Sequence, residues 1–347
     1  MANAAGTSEP AGAAAASSGA DNLPSNVDTS MLNGMPGSPG GPAGGGAMGP
    51  GAAGSGGSAG AMNASQGAAG TGMGGSPTEE PARACRAPAL APGDSTRMLT
   101  VANTNRTYIL HVPNTYSGDQ PVPLVIDFHG FGGSGQGERN SSSYVAATAG
   151  DGAILAFPSG LSDGAGPGFN FGPCCVSGVD DIAFARAMVA QIQASACIDD
   201  KRIYAVGFSN GGGMSYKLAC DAADLFAAVA PAAFDFTVET VDTCLPSRPI
   251  SVVAQRGTND PVVPFNGAFI GVVPSHPMTN LGAQATFDKW AELDGCLGAT
   301  EDIGNNCVTR SQCKAGVEIT LCTIQGGGHQ PGNANVLWPL LRAFSLP

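Results

Sequence analysis

The chain has 347 residues and a net charge of −12, and its composition changes near residue 82. Residues 1–82 are rich in Gly, Ala, Ser and Pro and contain five acidic residues but no Lys or Arg. They carry too little apolar surface to offset the entropy of ordering, which predicts a disordered Gly/Ala/Ser-rich spacer. Residues 83–347 hold all 10 cysteines and all four histidines. That stretch is long enough for one large domain.

The composition also argues against several partners. A protein with 27 acidic residues and only 15 basic ones is poorly suited to bind nucleic acid or an anionic membrane. The sequence has no apolar run long enough for a transmembrane helix, and its N-terminus lacks the basic and apolar regions of a signal peptide. Ten cysteines without a Cys-x-x-Cys pair favour disulfide bonds over zinc. We therefore expect a monomer outside the cytoplasm, extracellular, periplasmic or held at a cell surface by the spacer.

Strand-like and helix-like segments alternate through the second part of the chain. In chain order, the patterns predict a hairpin over 97–101 and 106–112, a strand at 124–128, a helix at 138–149, a strand at 153–157, a helix at 180–195, a strand at 203–206, a helix at 212–220, strands at 226–230 and 250–254, a helix at 280–293, a strand at 318–324 and a helix at 336–344. This alternation predicts an α/β fold with a mostly parallel sheet that is covered by helices on both faces.

A Gly-x-Ser-x-Gly pattern runs from Gly207 to Gly211, between a predicted strand and a predicted helix. A nucleophile elbow requires this order of strand, sharp turn and helix. The flanking glycines relieve crowding at the turn, and the helix N-terminus favours negative charge at the reacting atom. The same pattern at 56–60 has no strand before it and carries no weight. Ser209 is therefore the candidate nucleophile.

A nucleophilic serine needs a base, and the base needs an acid to orient it. His329 is the candidate base, because it lies on a Gly-rich loop after a late strand and can reach back over the sheet edge. Asp260 is the candidate acid, because it follows the strand at 250–254, where the sites of α/β sheets gather. Asp235, after the preceding strand, is the alternative. The chain order Ser209, Asp260, His329 is that of the α/β hydrolases.

A glycine-rich loop at 129–135 directly follows the buried strand at 124–128. In α/β hydrolases such a loop supplies one oxyanion-hole N–H, and the residue after the nucleophile supplies the other. The candidate donors are the amides of Phe131 and Asn210. A phosphate-binding loop is excluded because no Gly-Lys-Ser/Thr follows. This chemistry requires neither a metal nor an organic cofactor.

Five sequence blocks occur in an order that resembles one family. They are HGFGGS at 129–134, CC at 174–175 with VDDI at 179–182, IYAVGFSNGG at 203–212, RGTNDPVVP at 256–264 and GGGH at 326–329. Over residues 85–347 the chain resembles the secreted polyhydroxybutyrate depolymerase-like and feruloyl esterase-like α/β hydrolases, akin to carbohydrate esterase family 1. The resemblance implies the α/β-hydrolase fold and a serine esterase with Ser209, Asp260 and His329 as its triad.

Substrate contacts are harder to place from the sequence. Members of the family often carry Trp-Pro-Gly close behind the histidine, whereas here Gln330 precedes Pro-Gly and Trp338 lies nine residues beyond the histidine. The segment at 264–280, with Phe265 and His276, either shapes the cleft or is a plain surface loop. The candidate substrate-binding residues are His129, Phe265, His276 and Trp338.

Three functions are compatible with these residues. The first is a secreted esterase of feruloyl or acetyl groups on plant polysaccharide, and the alternative is a polyhydroxybutyrate depolymerase. The absence of a polymer-binding domain in this sequence favours the first. A non-catalytic surface binding module on a hydrolase fold is the third, although all three triad positions are filled.

The remaining polar and sulfur-containing residues are assigned structural roles. Asp180 and Asp181 are expected to cap a helix rather than to act as an acid–base pair. The cysteines are expected to pair mostly within two groups, Cys197, Cys220 and Cys244 in one and Cys296, Cys307, Cys313 and Cys322 in the other. For Cys174 and Cys175, bridges to separate partners are favoured over a bond between the two.

Overall fold

The structure, a computed structural model, describes Cys85 and residues 90–347. The predicted spacer at 1–82 and its boundary with the domain lie outside the described residues, so both stay predictions. The strands are β1 (Gly93–Val101), β2 (Thr104–Val112), β3 (Val122–Phe128), β4 (Ile154–Pro158), β5 (Leu161–Ser162), β6 (Pro167–Gly168), β7 (Ile198–Phe208), β8 (Ala228–Ala232), β9 (Ser251–Gly257), β10 (Ala268–Ile270), β11 (Met278–Asn280), β12 (Thr300–Gly304), β13 (Cys307–Arg310) and β14 (Ile319–Ile324). The helices are α1 (Gly135–Ser141), α2 (Tyr144–Ala147), α3 (Asp181–Ser195), α4 (Asn210–Asp221), α5 (Ala283–Leu293) and α6 (Ala334–Leu341).

One ten-stranded sheet forms the centre of the fold. Its strand order is β1-β2-β4-β3-β7-β8-β9-β14-β13-β12. The six strands from β4 to β14 in this order pair in parallel, and the strands at both edges pair antiparallel. The predicted mostly parallel sheet and the predicted hairpin are therefore confirmed. Because β7 lies inside the parallel part, the loops at its carboxyl end meet those of its neighbours.

The sheet separates two apolar layers. Successive side chains of a strand point to opposite faces, so Leu124 and Ile126 pack into one layer and Val125 packs into the other. Helices α3, α4 and α5 contribute to the first layer, which includes Trp290, and α2 and α6 contribute to the second, which includes Trp338. The predicted covering of the sheet on both faces is confirmed.

The helix bounds differ from the predicted ones, and for two of the predicted helices the hydrogen bonds show why. The helix expected at 138–149 is divided into α1 and α2 by Ser142, whose backbone is extended. Its hydroxyl donates to Asp127 at 2.5 Å and accepts from the N–H of Tyr144 at 3.2 Å, which is how serine competes with helical hydrogen bonds. The helix expected at 280–293 begins three residues later, because β11 pairs with β10 instead.

Several short strands gave no pattern in the sequence. All five residues of β12 are exposed, so no apolar alternation marks it as a strand. The hairpins β5–β6 and β10–β11 are two or three residues per strand, too short for periodicity to register.

Five disulfide bonds join the ten cysteines. The pairs are Cys85–Cys197, Cys174–Cys175, Cys220–Cys244, Cys296–Cys313 and Cys307–Cys322. Pairing within the two expected groups is confirmed for three bonds, whereas Cys197 pairs outside its group. The expectation of separate partners for Cys174 and Cys175 is wrong, because these neighbours bond to each other. Five disulfides suit an oxidising compartment. Within residues 90–347, none of the helices has the length and apolar character needed to span a membrane.

Candidate active site

Ser209 lies on a sharp turn between β7 and α4. Its φ is 54°, a conformation that costs energy in a residue with a Cβ. Hydrogen bonds on both sides hold the turn, from the Ser209 N–H to the carbonyl of Ala232 at 2.9 Å and from the Gly213 N–H to the carbonyl of Ser209 at 3.0 Å. A Cβ on Gly211 would overlap the carbonyl oxygen of Phe128. The turn therefore has the predicted nucleophile-elbow geometry, with glycine where the backbone is crowded.

A continuous chain of hydrogen bonds runs from this serine to a buried carboxylate. The His329 Nε2 lies 2.9 Å from the Ser209 Oγ, and the His329 Nδ1 lies 2.8 Å from the Asp260 Oδ2. The other carboxylate oxygen, Oδ1, accepts the N–H groups of Val262 and Val263, both at 2.9 Å. Each oxygen of Asp260 thus has a defined partner, and the histidine ring is oriented between acid and hydroxyl.

The sheet order explains how three distant residues meet. Strand β14, which leads to the histidine loop, pairs in parallel with β9, which leads to Asp260. A Cβ on Gly257, at the end of β9, would overlap the carbonyl groups of Gly327 and Gly328. The Asn259 N–H donates to Gly327 at 2.9 Å. A glycine at the end of β9 therefore allows the two loops to lie against each other.

The alternative acid, Asp235, contacts a different group. Its carboxylate forms a buried ion pair with Arg256 and makes no hydrogen bond to His329 among the described residues. Burial raises the pKa of Asp235, while the adjacent Arg256 guanidinium opposes this shift. The geometry places Asp260, and not Asp235, beside the imidazole.

The two predicted oxyanion donors flank the serine. A Cβ on Gly130 would lie 3.4 Å from the Ser209 Cβ, so the loop that carries Phe131 lies directly beside the nucleophile. Neither the Phe131 N–H nor the Asn210 N–H donates a loop or turn hydrogen bond within the described part of the chain. The Asn210 side chain is already paired, because it accepts from the Phe169 N–H at 2.8 Å and donates to its carbonyl at 2.9 Å. Both backbone amides are thus available to a developing oxyanion.

His129 is a structural residue, and its interpretation as a substrate contact is wrong. Its ring is buried and connects two loops. The Nδ1 atom contacts the carbonyl of Gly130 at 2.7 Å, and the Nε2 atom accepts from the Gly160 N–H at 3.0 Å. These partners require the neutral ring, and burial lowers the pKa of His129 in the same direction. The ring therefore supports the glycine-rich loop from below.

The interpretation of Trp338 as a substrate contact is also wrong. Its side chain lies in the apolar layer with α2 and α6, where it packs edge-on against Tyr204. The indole N–H donates to Asp151 at 2.6 Å. Trp338 therefore anchors α6 to the sheet and does not replace an aromatic beside His329.

Phe265 and His276 lie on the excursion between β9 and α5. Phe265 is half-buried against the core, and its carbonyl accepts the Ala283 N–H at 2.8 Å. His276 contacts a second hairpin, because its Nε2 lies 3.3 Å from a carboxylate oxygen of Asp163 between β5 and β6. We call the hairpins β5–β6 and β10–β11 the rim. Asp163 stands in an ordinary turn sequence, so no signal identified it in advance.

The rim spans the strand that bears the nucleophile. The β5–β6 hairpin follows β4 and the β10–β11 hairpin follows β9, and these strands lie two places from β7 on opposite sides. The contact between His276 and Asp163 therefore joins loops that start on either side of Ser209. A role in substrate binding for Phe265 and His276 stays a prediction.

A cavity of about 250 Å³ lies behind the elbow and was not predicted. Asp127, Glu138, Tyr144 and Phe208 line it together with residues 331–333. Burial raises the pKa of Asp127 to about 6. Burial, together with the charge of Asp127, raises the pKa of Glu138 to about 8. The two carboxyls therefore oppose each other's ionisation.

The sheet and this chain of contacts together define the class of protein. A serine on a strained turn after a parallel strand, a histidine on a later loop and a carboxylate between them in sequence characterise the α/β hydrolases. The structure of an acetyl xylan esterase from Aspergillus awamori matches this fold with a TM-score of 0.52 at 18% identity, covering 71% of this chain and 98% of that chain.

Curated relatives define the family more narrowly. A feruloyl esterase B from Piromyces equi is 43% identical over 246 residues, which cover 70% of this chain and 46% of that protein. A probable feruloyl esterase C from Aspergillus niger is 31% identical over 205 residues, which cover 55% of this chain and 71% of that protein. No protein-family model matches. The chain therefore belongs to the feruloyl esterase-like α/β hydrolases, and the resemblance found in the sequence is confirmed. The chain spans less than half the length of the Piromyces relative.

Proposed function

We propose that the protein is a secreted serine esterase that hydrolyses carboxylic esters, with feruloyl or acetyl groups on plant polysaccharide as its substrates. The observation that carries this proposal is the chain of contacts from Ser209 through His329 to Asp260. The similarity to a feruloyl esterase B and a probable feruloyl esterase C supports the substrate class. The five disulfide bonds support a location outside the cytoplasm.

The geometry supports a two-step acyl transfer. Ser209 Oγ attacks the ester carbonyl while His329 takes its proton, and Asp260 keeps the ring oriented and stabilises its positive charge. The amides of Phe131 and Asn210 donate to the oxyanion, and the loss of one such donor costs about 3–4 kcal/mol. His329 then protonates the leaving alcohol. Water, activated by the same histidine, hydrolyses the acyl-enzyme.

Depolymerisation of polyhydroxybutyrate is the second candidate. One feature of the rim favours it, because Phe269 and Val272 are 69% and 62% exposed and present an apolar surface to a polyester. Both candidates use the same chemistry, and the curated relatives favour feruloyl esters. Attachment to a cell surface through residues 1–82 and a monomeric state are further parts of the proposal.

The test is hydrolysis of methyl ferulate and of a 3-hydroxybutyrate oligomer by the wild-type protein and by Ser209→Ala. We expect turnover of the ferulate and a loss of at least about 10³-fold in the variant. Preference for the oligomer would move the assignment to a polyester depolymerase. Residual activity of a tenth of wild type in Ser209→Ala would refute the nucleophile.

Fluorophosphonate labelling separates the catalytic proposal from a binding module. We expect the reagent to modify Ser209 alone, with labelling lost in Ser209→Ala and kept in Ser117→Ala. Ser117 is an exposed serine before the amino end of β3, at the opposite edge of the sheet. If the wild-type protein is not labelled, the non-catalytic module becomes the better interpretation.

A further inference from the structure

Arg256 is a buried cation directly behind the proposed acid. Its side chain is fully buried at the end of β9. A buried charge is stable only when it is paired and hydrogen-bonded. Its guanidinium forms the ion pair with Asp235, donates to the carbonyl of Val263 at 2.5 Å, and lies 3.9 Å from the Asp260 Oδ2. Arg256 therefore lies between the proposed acid Asp260, the carbonyl of Val263 and the second carboxylate, Asp235.

The contact with Val263 fixes the turn that presents the acid. The Val263 N–H donates to the Asp260 Oδ1, while the Val263 carbonyl accepts from Arg256. The Asp260 carboxylate therefore holds the N–H of Val263, and the Arg256 guanidinium holds the carbonyl of the same residue. Without Arg256, the turn would lose one side of this clamp, and the N–H groups of Val262 and Val263 would hold the Asp260 carboxylate less firmly toward the histidine.

The contact with Asp235 determines which carboxylate the cation pairs with. At 3.9 Å from Oδ2, Arg256 is outside hydrogen-bond distance of the oxygen that His329 uses. A guanidinium without a closer partner would move to form a direct salt bridge with Asp260 and would compete with His329 for Oδ2. Asp235 is the closer partner and keeps the cation back.

We infer that Arg256, held by Asp235, is a positioning residue that keeps Asp260 hydrogen-bonded to His329, an inference that rests on the proposed esterase function. Asp235, the alternative acid in the sequence, therefore acts on Asp260 only through its ion pair with Arg256. Three groups face this pair: Asp260 on the catalytic side, and Tyr216 and Asn280 beside Asp235. Of these, Asp260 carries the charge in the proposed cycle.

The test measures kcat, KM and the pH dependence of kcat/KM for methyl ferulate in Arg256→Gln, Arg256→Lys and Asp235→Asn. We expect Arg256→Gln to lower kcat by about 10–100-fold, because small misplacement of a catalytic group has effects of this size, with KM within about threefold. Arg256→Lys keeps the charge but loses the planar fork, so it should recover only part of kcat.

The direction of the pH effect separates positioning from a purely structural role. If Arg256→Gln releases Asp260 from His329, the imidazolium loses its partner carboxylate and the acidic limb of the profile should move to lower pH. In Asp235→Asn the released guanidinium should pair with Asp260 and move the limb in the same direction. Loss of the Arg256 charge with Asp260 still in place would instead move the limb to higher pH, and that result, or limbs that stay at the wild-type pH, would overturn the inference.

Loss of one partner leaves a buried ion unpaired, which destabilises the domain. The double variant Asp235→Asn/Arg256→Gln leaves neither ion unpaired and should fold, with a lowered kcat and an acidic limb at lower pH, because the contact of Arg256 with Val263 is still lost. Arg248→Gln is the matched control, because Arg248 also binds backbone carbonyls but lies before the amino end of β9. It should change stability and leave the pH limb in place.

A readout without turnover keeps the two proposals distinct. NMR titration of the His329 ring in the same variants reports the shift to lower pH even if neither ester is a substrate. A shift to lower pH without ester hydrolysis would leave the positioning inference standing and reject the proposed function. Hydrolysis that depends on Ser209, combined with an unchanged titration in both variants, would do the reverse.

Discussion

The floor of the site and its rim are built differently. In the floor, Ser209, Asp260 and His329 are held by hydrogen bonds to backbone and by buried partners, and the acid is only 5% exposed. In the rim, Phe269 and Val272 point to solvent, and the two hairpins meet through the partly exposed contact of His276 with Asp163. Several hydrogen bonds fix the positions of the side chains in the floor. Among the residues that the structure describes, a single side-chain contact, between His276 and Asp163, joins the two hairpins of the rim.

This difference separates chemistry from substrate choice. Acyl transfer needs donors and acceptors fixed to within a fraction of an ångström, which buried backbone contacts provide. Selection among esters depends on surfaces that can vary without disturbing the fold. We therefore expect substitutions in the floor to change kcat by orders of magnitude, and substitutions in the rim to change the preference among substrates by small factors.

The largest effect is expected for Asp260→Asn. The amide can still contact His329, but it cannot stabilise the positively charged ring and favours the wrong tautomer. We expect kcat for methyl ferulate to fall by about 10³–10⁴-fold with the fold retained. Asp163→Asn in the rim is the matched control and should stay within about threefold of wild type, a range typical of an exposed pair. Equal losses in the two variants would remove the distinction between floor and rim.

The sequence was sufficient for the floor because each element leaves a strong local signal there. The elbow requires glycine at positions where any Cβ would overlap backbone, as at Gly211, so the motif and the geometry coincide. The chain order of Ser209, Asp260 and His329 follows from the order of the strands, and parallel pairing brings their loops to one edge. Backbone constraints of this kind can be recognised without coordinates.

Long-range side-chain contacts left no such signal. In the sequence, Arg256 is one residue of the turn RGTNDPVVP, and only the position of β8 beside β9 shows that its partner is Asp235. Trp338 and His129 could be assigned to the cleft from sequence spacing, although both are buried in other contacts. Ser142 divides a predicted helix because its hydroxyl finds Asp127 from a different element. Propensity alone does not register such contacts.

A change of intermediate size is expected at the cavity behind the elbow. The pKa values of Asp127 and Glu138 are raised to about 6 and about 8, above the value near 4 of free carboxyls. Folding therefore favours the protonated forms. This stabilisation is complete at about pH 4 and is lost as the pH rises through the two folded-state values. The wild-type melting temperature should fall between pH 6 and pH 9.

Glu138→Gln should remove most of this loss. Since the glutamine does not ionise, its melting temperature at pH 9 should exceed that of wild type by about 2–6 °C, equivalent to about 1–2 kcal/mol. Glu292→Gln, at a side chain that is 71% exposed, is the control and should parallel wild type at every pH. If the Glu138→Gln curve also runs parallel to wild type, the carboxyl ionises freely and the cavity places no constraint on it.

The smallest effect is expected for His276→Ala, which breaks the contact between the two hairpins of the rim. A surface pair of this kind contributes little to stability, so stability and the kcat for methyl ferulate should be nearly unchanged. A feruloylated oligosaccharide reaches further across the cleft, and its KM should rise by about three- to tenfold because the β10–β11 hairpin is less restrained.

A double-mutant cycle assigns that change to the contact itself. In Asp163→Asn/His276→Ala the rise in KM should equal that of His276→Ala alone, because His276→Ala has already removed the contact with Asp163. Additive effects would mean that the two side chains act on the substrate independently. Ser209 follows β7, and β4 and β9 lie on the two sides of that strand in the sheet. The hairpins that follow β4 and β9 are joined across β7, so we expect the joined rim to restrict long substrates more than short ones. A small ester such as methyl ferulate reaches the floor without meeting the joined hairpins, which is why the two substrates must be compared in the same variant.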